Sequence, residues 1–510
     1  MSKATKTFEK NVSREKWSKH FGKWFRKVLI EGKILDYRYP IKGLGVWLPY
    51  GFRIRENVFR VIRSQLDSTG HSEALFPLLI PETSLQKETE HVEGFEAQVF
   101  WVTQGGQKQL KTRLALRPTS ETIIGPMEHL WIRSFTDLPL KLYQIVTVFR
   151  FETKATRPIL RMREFDFKEA HTAHATEDEA ETEVREEIDN YRKIFNTLCV
   201  AYRVSRRPEW DKFAGAKYTT AFDMICPDGR TLQIGTVHNL GQHFSKAFDV
   251  SYETKDGGRE HVWQTCAGIS GRGIASVLIM HGDDHGVTLP PRIAPTQIIV
   301  IPIPYKSKAE LVNKECQKVA DELKQKGFRV EVDLREDVTP GSKYFDWELR
   351  GVPIRVEIGP REIERNEVTV ARRDTLKKQI CKRNELPEFL STLADTLTED
   401  LGQRAWEWTK QHVYRIESLE EATELLDKHA GIVEAPWCGK AACGHKLEEV
   451  TNARVLGTPE DTDEKAKGKC VICGEKAQTM DRTAIAYEPR PQTVLWRDFH
   501  SATEFSRYIL

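Results

Sequence analysis

The sequence predicts an α+β protein with three units: an antiparallel sheet backed by helices, a small α/β unit, and a C-terminal α/β unit built around four cysteines. Three observations predict it. Strand-like and helical runs mix without regular alternation over the first 290 residues, they alternate after a proline cluster at 290–295, and four closely spaced cysteines follow Trp437. A chain of 510 residues is also too long for a single hydrophobic core.

The first unit begins with a basic, aromatic stretch at 14–33, in which Trp17, Phe21, Phe25 and Val28 recur at helical spacing. A second helix is better defined, because Thr176 and Glu179 form a capping-box pattern and apolar residues then follow a 3.6-residue period to Leu198. We expect strands around that helix at Leu142–Phe151, Thr219–Met224 and Arg230–Gly235.

The proline cluster marks a boundary, since regular alternation begins after it. A helix capped by Ser307 and Glu310 and a later helix at 386–412 are predicted. The predicted strands of this small, doubly wound α/β unit are Gln297–Ile301, Phe328–Val332 and Ile354–Ile358.

Cys438, Cys443, Cys470 and Cys473 form one C-x4-C pair and one C-x2-C pair. Short cysteine hooks of this kind bring four thiolates around a tetrahedral Zn²⁺, and four sulfur ligands imply a closed, structural site. The alternatives are two local disulfides or unrelated buried thiols.

Charge and hydropathy limit the functional classes. The 77 basic and 75 acidic residues give a net charge of +2, so any nucleic-acid contact must be local. The sequence has no apolar run of about 18 residues and no signal-peptide core at its start, so we expect a soluble, cytoplasmic protein without membrane contact.

The chemistry is predicted at residues 149–165, where a strand ends at Arg150 and Glu152 and a loop returns through Arg161 to Phe165. Arginine suits the α-phosphate of ATP because its planar fork binds two oxygens and stays charged. Glu152 can accept from an adenine amino group, and Phe165 can stack on the base. Taken alone, such a pair is more often a surface ion pair.

The wider sequence resembles the class II aminoacyl-tRNA synthetases. Residues 149–167 resemble motif 2, and Gly268–Ile274 with the following helix, to residue 292, resembles motif 3, with Arg272 at the γ-phosphate. The long helix Arg53–Leu66 followed by Leu75, Phe76 and Pro77, within 53–81, resembles motif 1, which in this class builds the dimer interface.

Further signatures resemble prolyl-tRNA synthetases of the archaeal/eukaryotic type over residues 15–487; they are 117–121, 168–174, 233–238 and 290–295. The resemblance implies ATP-dependent attachment of L-proline to tRNA(Pro) through a prolyl-adenylate. It implies catalytic roles for Arg150 and Arg272. The implied ATP-binding residues are Arg150, Glu152, Arg161, Phe165, Gln233, Thr236, Ser270 and Arg272, and the proline-binding residues are Thr119, Glu121, Arg150, Glu169, Phe213 and His238.

The resemblance also implies a division of the chain and its partners. The catalytic domain is expected at 1–290, an anticodon-binding domain at 291–400 with Glu348, Arg355 and Arg361 reading the anticodon, and a zinc-binding domain at 401–487. Mg²⁺ with ATP, structural Zn²⁺ and a homodimer are expected too. The family usually ends at a tyrosine, here Tyr487, so 488–510 is an extension of unknown role, either disordered or docked.

Three alternatives remain: a synthetase of the same subclass for another amino acid such as threonine or histidine, a non-catalytic paralogue that binds tRNA, and a zinc-dependent nucleic-acid-binding module. The 117–121 signature disfavours the first, the retained Arg150, Glu152, Gln233 and Arg272 disfavour the second, and the motif matches disfavour the third.

Overall fold

The computed structural model describes residues 12–87, 99–151, 156–303, 307–462, 464 and 466–487. Its centre is an eleven-stranded sheet, which confirms the α+β prediction. Labelled in chain order and given in spatial order, its strands are β20 (Val413–Arg415), β21 (Ile432–Trp437), β23 (Thr479–Ala484), β22 (Arg454–Pro459), β9 (Arg203–Arg206), β10 (Tyr218–Ile225), β11 (Thr231–Gly241), β14 (Trp263–Ser270), β8 (Glu164–His174), β7 (Leu140–Phe149) and β3 (Ser72–Glu73).

The sheet is antiparallel from β21 to β7, and its two edge pairings are parallel. Three helices cover one face of its centre: α3 (Pro49–Asp67), α6 (Glu177–Thr197) and α8 (Arg272–Met280). The capping box of α6 is formed as predicted, since Glu179 N donates to Thr176 Oγ1 at 3.2 Å and Thr176 N donates to Glu179 Oε2 at 3.4 Å. The opposite face carries the pocket described below.

The N-terminal stretch forms two helices instead of one continuous run: α1 (Glu15–Lys19) and α2 (Phe21–Glu31). His20 leaves the helical region, with φ −122° and ψ 31°, and so separates them. Trp17 and Trp24 are buried, and their indole N–H groups donate to the carbonyls of Ile279 and Asp283 at 2.7 and 2.8 Å. The aromatic residues therefore anchor the N-terminal helices on the end of α8.

Smaller elements surround the sheet. The helices are α4 (Glu82–Leu85), α5 (Glu121–Trp131) and α7 (His243–Ala247). The strands form two pairs and one three-stranded sheet: β1 (Leu35–Asp36) with β2 (Val46–Trp47), β12 (Ser251–Glu253) with β13 (Arg259–His261), and β4 (Leu79–Pro81), β6 (Lys108–Leu116) and β5 (Phe100–Gly105) in that order.

The α/β unit after the proline cluster has a five-stranded mixed sheet. In spatial order its strands are β16 (Val330–Val332), β15 (Ile298–Pro302), β17 (Ile354–Ile358), β18 (Glu367–Arg372) and β19 (Lys378–Lys382), and its helices are α9 (Ala309–Gln325), α10 (Pro340–Leu349) and α11 (Pro360–Arg365). The first three strands are parallel, as predicted, and the last two add an antiparallel edge that was not predicted. The predicted Ser307 cap is wrong, because Lys308 is the N-cap of α9 and makes no capping side-chain bond.

The C-terminal region contains α12 (Leu386–Gln411), α13 (Leu419–Asp427) and α14 (Ala441–Thr451). Its strands extend the central sheet, since Thr458 and Pro459 of β22 pair with Arg206 and Ser205 of β9. This continuity was not predicted from the sequence. Among the described residues, no helix combines the length and apolarity needed to cross a bilayer.

Candidate active site

One face of β8 supplies a row of side chains to the pocket. Phe165, Phe167, Glu169 and His171 alternate along the strand, and all four line the same cavity. This follows from the period of two in a β-strand, which sends every second side chain to the same face. The intervening Lys168 is buried on the opposite face, near Glu187 of α6.

Neighbouring strands add residues in register. Gly268 of β14 lies opposite both Glu169 and Thr236, and Cys266 lies opposite both His171 and His238. A Cβ at position 268 would lie 2.7 Å from the ring of Phe167. Glycine is therefore needed at position 268, because the Phe167 ring lies over this part of the neighbouring strand.

Gln233 reaches the pocket because β11 is irregular. Phe222 pairs with Gly235 while Asp223 pairs with Gln233, so Ile234 is an extra residue in the strand. Such a bulge reverses the alternation, which places Gln233 with Thr236 along the same cavity. Arg207 fixes the Gln233 amide, since its Nη2 donates to Gln233 Oε1 at 3.1 Å.

The resulting cavity has a volume of about 270 Å³. It brings together these residues selected from the sequence: Thr119, Glu121, Arg150, Arg161, Phe165, Glu169, Phe213, Gln233, Thr236, His238, Ser270 and Arg272. Glu152 lies outside the described residues. These cavity residues come from strands, loops and the first turns of helices, and they span positions 119 to 272 of the chain.

The inner end of the cavity is acidic. Thr119 and Glu121 stand on either side of the N-cap of α5, and Thr119 Oγ1 donates to Glu121 Oε2 at 2.6 Å. Glu169 Oε2 accepts from Gln144 Nε2 at 3.3 Å, while its buried Oε1 has no hydrogen-bond partner among the described residues. An unpaired buried carboxylate oxygen is costly, so this end is suited to a ligand that carries N–H donors.

His238 stays neutral beside these carboxylates because burial lowers its pKa to about 4, although Glu121 opposes the shift. Its Nδ1 lies 2.8 Å from Thr219 Oγ1 and its Nε2 lies 2.9 Å from Thr236 Oγ1. The ring centroid of Phe213 lies 4.8 Å from that of His238. The two rings, tilted by 40° to each other, form an uncharged wall next to the acidic end.

Guanidinium groups occupy the outer part of the cavity. Arg150 Nε donates to the Pro118 carbonyl at 3.1 Å, and its Cζ lies 5.5 Å from the Phe165 ring centroid. Arg272 begins α8 and donates through Nε to the Leu160 carbonyl at 2.8 Å. Arg161 also lines the cavity. Arg150 and Arg272 lie toward Phe165 and Phe167 of β8, whereas Glu121 and Glu169 lie near His171, so the cavity is cationic toward one end and acidic toward the other.

Several lining residues were not predicted from the sequence. Phe167 and His171 carried a signal, because they continue the alternation of Phe165 and Glu169 along β8. Burial opposes protonation of His171, but the carboxylate of Glu169, 3.7 Å from its Nε2, and the charge of Glu121 raise its pKa. Cys266 and Arg454 carried no local signal, since their place depends on strands far apart in sequence.

The four-cysteine cluster, Cys438, Cys443, Cys470 and Cys473, lies at the start of α14 and in the loop before β23. The four Sγ atoms all lie within 4.8 Å of one another, and Cys438 Sγ is 3.7 Å from Cys473 Sγ. That separation is too long for a disulfide. Although burial opposes it, backbone N–H groups of Cys473 and Ile472 help lower the pKa of Cys470 to about 7, which favours the thiolate. The cluster is compatible with zinc binding.

Of the predicted anticodon residues, Glu348 and Arg355 lie together. Arg355 donates to Glu348 Oε1 at 2.6 Å and to Glu357 Oε1 at 2.9 Å. Arg361 is exposed on α11, which follows the strand that carries Arg355. The first two therefore form a largely buried ion-pair network with Glu357, and the third is open to solvent.

The antiparallel sheet, with one arginine at the start of a helix and a second arginine at the same cationic end of the pocket, defines the core of a class II aminoacyl-tRNA synthetase. Family models match the chain as "tRNA synthetase class II core domain (G, H, P, S and T)" at 100–281, "Anticodon binding domain" at 297–393 and "Prolyl-tRNA synthetase, C-terminal" at 419–487.

Similar proteins support the same family assignment. Proline–tRNA ligases of Metallosphaera sedula and Saccharolobus islandicus are 54% and 52% identical over 480 residues, covering 93% of this chain and 100% of each relative. A solved structure, "Giardia lamblia Prolyl-tRNA synthetase in complex with prolyl-adenylate", matches with a TM-score of 0.89 and 35% identity over 94% of this chain and 100% of that chain. The chain belongs to the proline–tRNA ligase family.

Proposed function

We propose that this protein attaches L-proline to tRNA(Pro) in two ATP-dependent steps, through a prolyl-adenylate. The observation that carries the proposal is the polarity of the pocket along β8. Glu121 and Glu169 lie beside His171. Arg150 lies beside the rings of Phe165 and Phe167, and Arg272 closely follows Ser270, which pairs with Phe167. An amino acid joined to a nucleotide has the complementary polarity: an ammonium at one end and phosphate oxygens at the other. The solved relative contains such a prolyl-adenylate.

The acidic end suits the secondary ammonium of proline. Two N–H donors need two acceptors, and Thr119 with Glu121 supplies oxygen atoms in a fixed, hydrogen-bonded arrangement. The wall formed by Phe213 and neutral His238 offers apolar contact for a pyrrolidine ring. A charged histidine there would repel the ammonium, so the lowered pKa of His238 favours binding.

In the first step a carboxylate oxygen of proline attacks the α-phosphorus of ATP, and the bond to pyrophosphate breaks. In the second, the 3′-terminal adenosine of tRNA takes the prolyl group and AMP leaves. In this proposal Arg150 neutralises charge between the carboxylate and the α-phosphate, and Arg272 meets the γ-phosphate. Phe165 offers a ring face for adenine, and Arg161 and Ser270 line the same part of the cavity. Positioning and charge neutralisation then carry the catalysis.

Class II synthetases use ATP with a divalent metal, and Mg²⁺ usually keeps water and phosphate ligands with one or two protein oxygens. Gln233 fits this role, because its side-chain carbonyl oxygen is a neutral ligand of the kind Mg²⁺ accepts and Arg207 orients the amide along the cavity. Thr236 contributes a second neutral oxygen nearby on β11. Bound Mg²⁺ would neutralise charge on the phosphates, while Arg207 keeps the Gln233 amide oriented.

ATP–pyrophosphate exchange across a panel of amino acids tests the proposal, followed by charging of a tRNA(Pro) transcript. We expect exchange with proline and acylation of that tRNA. Exchange with threonine or histidine instead would identify a different synthetase. Binding of tRNA without any exchange would favour the non-catalytic paralogue.

We also propose that the four-cysteine cluster holds a structural Zn²⁺. Four thiolates and no open position suit a closed tetrahedral site, and the spacing of the sulfur atoms is compatible with one shared ion. All nine cysteines are free thiols in the structure, which suits a reducing compartment such as the cytoplasm.

The domain division at 290 and 400 remains a proposal, in which 291–400 recognises the anticodon. Base edges are read by hydrogen bonds, and Arg355 and Glu348 offer both donors and acceptors. Their mutual ion pair must rearrange, or present its outer atoms, when a base binds. Arg361 is exposed, so it can contact a base without rearrangement of the Arg355–Glu348 ion pair.

A homodimer is proposed at the motif 1 region. Leu75 is 81% exposed, Leu79 is 41% exposed, and Trp131, which contacts Phe76, is 45% exposed. Exposed apolar residues grouped in this way mark an interaction surface, and motif 1 builds the dimer in this class. Light scattering should give the mass of two chains, and Leu75→Asp should shift it toward one chain.

A further inference from the structure

The short segment from Glu209 to Phe213 joins the active-site cavity to the four-cysteine cluster. It begins with a 3-10 turn at Glu209–Asp211 and ends at Phe213, whose ring lies beside His238. Asp211, Lys212 and Phe213 all line the cavity. Only two residues, Asp211 and Lys212, separate Trp210 from Phe213.

Trp210 packs against the four-cysteine cluster. Its ring centroid lies 4.3 Å from that of His445 and 6.3 Å from that of Trp437. Gly444 directly follows Cys443, and a Cβ at 444 would lie 2.3 Å from the indole ring. The absent side chain therefore provides the space that the indole occupies.

Packing holds this indole, since Trp210 Nε1 is buried without a hydrogen-bond partner among the described residues. The adjacent Asp211 is held by charge. Arg454 of β22 donates through Nε to Asp211 Oδ2 at 3.1 Å, and Arg207 Nε lies 3.8 Å from the same oxygen. Arg207 also donates to the Leu456 carbonyl at 2.7 Å. The C-terminal region thus contacts two successive residues of the segment: it packs against Trp210 and forms an ion pair with Asp211.

We propose that Trp210 is a positioning residue for proline. The four-cysteine cluster holds the Trp210 indole in place and thereby determines where Phe213 lies against the pyrrolidine ring. The affinity for proline therefore depends on an intact cluster. The proposal rests on the proposed function and deepens it. ATP binds at the opposite end of the cavity, so its affinity should be little affected.

Gly444→Ala is the sharpest test, because it adds one methyl group where the Trp210 ring lies. Alanine favours a helix over glycine, so the change supports α14 while it displaces the indole. We expect the KM for proline to rise about tenfold, with kcat at saturating proline and the KM for ATP nearly unchanged. Gly402→Ala in α12 is the matched control, since a Cβ there meets nothing within 4 Å, and it should leave the KM unchanged.

Trp210→Ala is the second variant and should reproduce the rise in KM without added bulk, while Trp210→Phe should restore most of the affinity. Zinc content is measured on each variant, and Gly444→Ala should retain the wild-type amount, which separates displacement of Trp210 from loss of the cluster. Calorimetry with a prolyl-adenylate analogue should show the same weakening.

Two failures are distinguishable. A wild-type protein without proline-dependent exchange contradicts the proposed function itself. Normal wild-type exchange, with an unchanged KM for proline in both Gly444→Ala and Trp210→Ala, overturns the positioning role alone. A fall in kcat with an unchanged KM would overturn it as well.

Discussion

Asp211 in the wall of the active-site cavity is bound by Arg454, which lies 243 residues later in the chain. Both guanidinium nitrogens that face the carboxylate donate to it, and the Asp211 side chain is only 5% exposed. Arg454 belongs to β22, which extends the central sheet from the C-terminal side. The C-terminal region is therefore part of the wall of the pocket.

Arg454→Met should weaken proline binding, because it removes the charge that fixes Asp211 while keeping much of the side-chain volume. Loss of one partner of a largely buried ion pair costs about 3 kcal/mol, part of which we expect in a higher KM for proline. Steady-state exchange kinetics measure it. Arg415→Met is the control, since Arg415 is 61% exposed at its side chain and lies away from the cavity. Equal KM values in the two variants would contradict the prediction.

Arg150→Ala should abolish proline-dependent ATP–pyrophosphate exchange while the fold stays intact. Loss of a preorganised charge at the reacting phosphate lowers kcat by roughly 100-fold to 1,000-fold. Arg150→Lys should also be poor, because an ammonium lacks the planar fork. Arg192→Ala, an exposed residue of α6 paired with Asp189, is the control. Near-normal exchange with unchanged circular dichroism would refute the role.

Glu121→Gln should raise the KM for proline by roughly 30-fold or more, because the substrate ammonium loses a buried carboxylate. The KM for ATP should change much less, since the residue lies at the far end of the cavity. Glu177→Gln removes a carboxylate that pairs with Lys217 on the surface and serves as the control. A larger effect on ATP than on proline would place the amino acid elsewhere.

His71 should make the stability of the protein depend on pH. Burial opposes its charge, but Glu183 and Glu187, at 3.1 and 3.3 Å from Nε2, raise its pKa above the usual value near 6.5. The folded state then binds the proton more tightly than the unfolded state, and each tenfold gain in proton affinity stabilises the fold by about 1.4 kcal/mol. This stabilisation is complete below about pH 6.5 and is lost as the pH rises through the folded-state pKa.

His71→Gln should therefore flatten the fall in unfolding temperature above pH 6.5. Lys141 and Lys168 pair with the same glutamates and are present in both proteins, so the difference between the wild type and His71→Gln isolates the histidine. His261→Gln is the control, because His261 pairs with Asp249 near the surface. Parallel curves for the wild type and His71→Gln would contradict the assignment.

The purified protein should contain about one zinc ion per chain, because four thiolates form one tetrahedral site. Cys470→Ser should reduce the metal content and lower the unfolding temperature. Cys316→Ser should retain the metal, since Cys316 is buried in α9 away from the cluster. Metal content is measured by elemental analysis, and a metal-free wild type of full stability would exclude a structural zinc site.

Local patterns predicted the parts of the fold that depend on local interactions. The capping box of α6 is set by residues three apart and was predicted from the sequence. The alternation on β8 is equally local, but it was not used, so Phe167 and His171 were missed. The break at His20 and the Lys308 N-cap were missed, because a helix boundary depends on small differences in backbone preference.

The features of the pocket that were not predicted depend on pairing between strands far apart in sequence. Cys266 faces His171 and His238 only because β14 lies between β8 and β11, and the Ile234 bulge is set by the partner strand. Trp210 reaches the four-cysteine cluster and Arg454 reaches the cavity only when β22 pairs with β9. None of these contacts leaves a period or spacing in a single sequence. The family resemblance selected residues within the motifs and gave no information on this connection.

A crystal structure with a non-hydrolysable prolyl-adenylate analogue tests the central account most directly. We expect the pyrrolidine ring between Phe213 and His238, its nitrogen within hydrogen-bond distance of Thr119 or Glu121, and the phosphate beside Arg150. Density for the analogue in another part of the protein, or a reversed orientation with the nitrogen at Arg150, would contradict it.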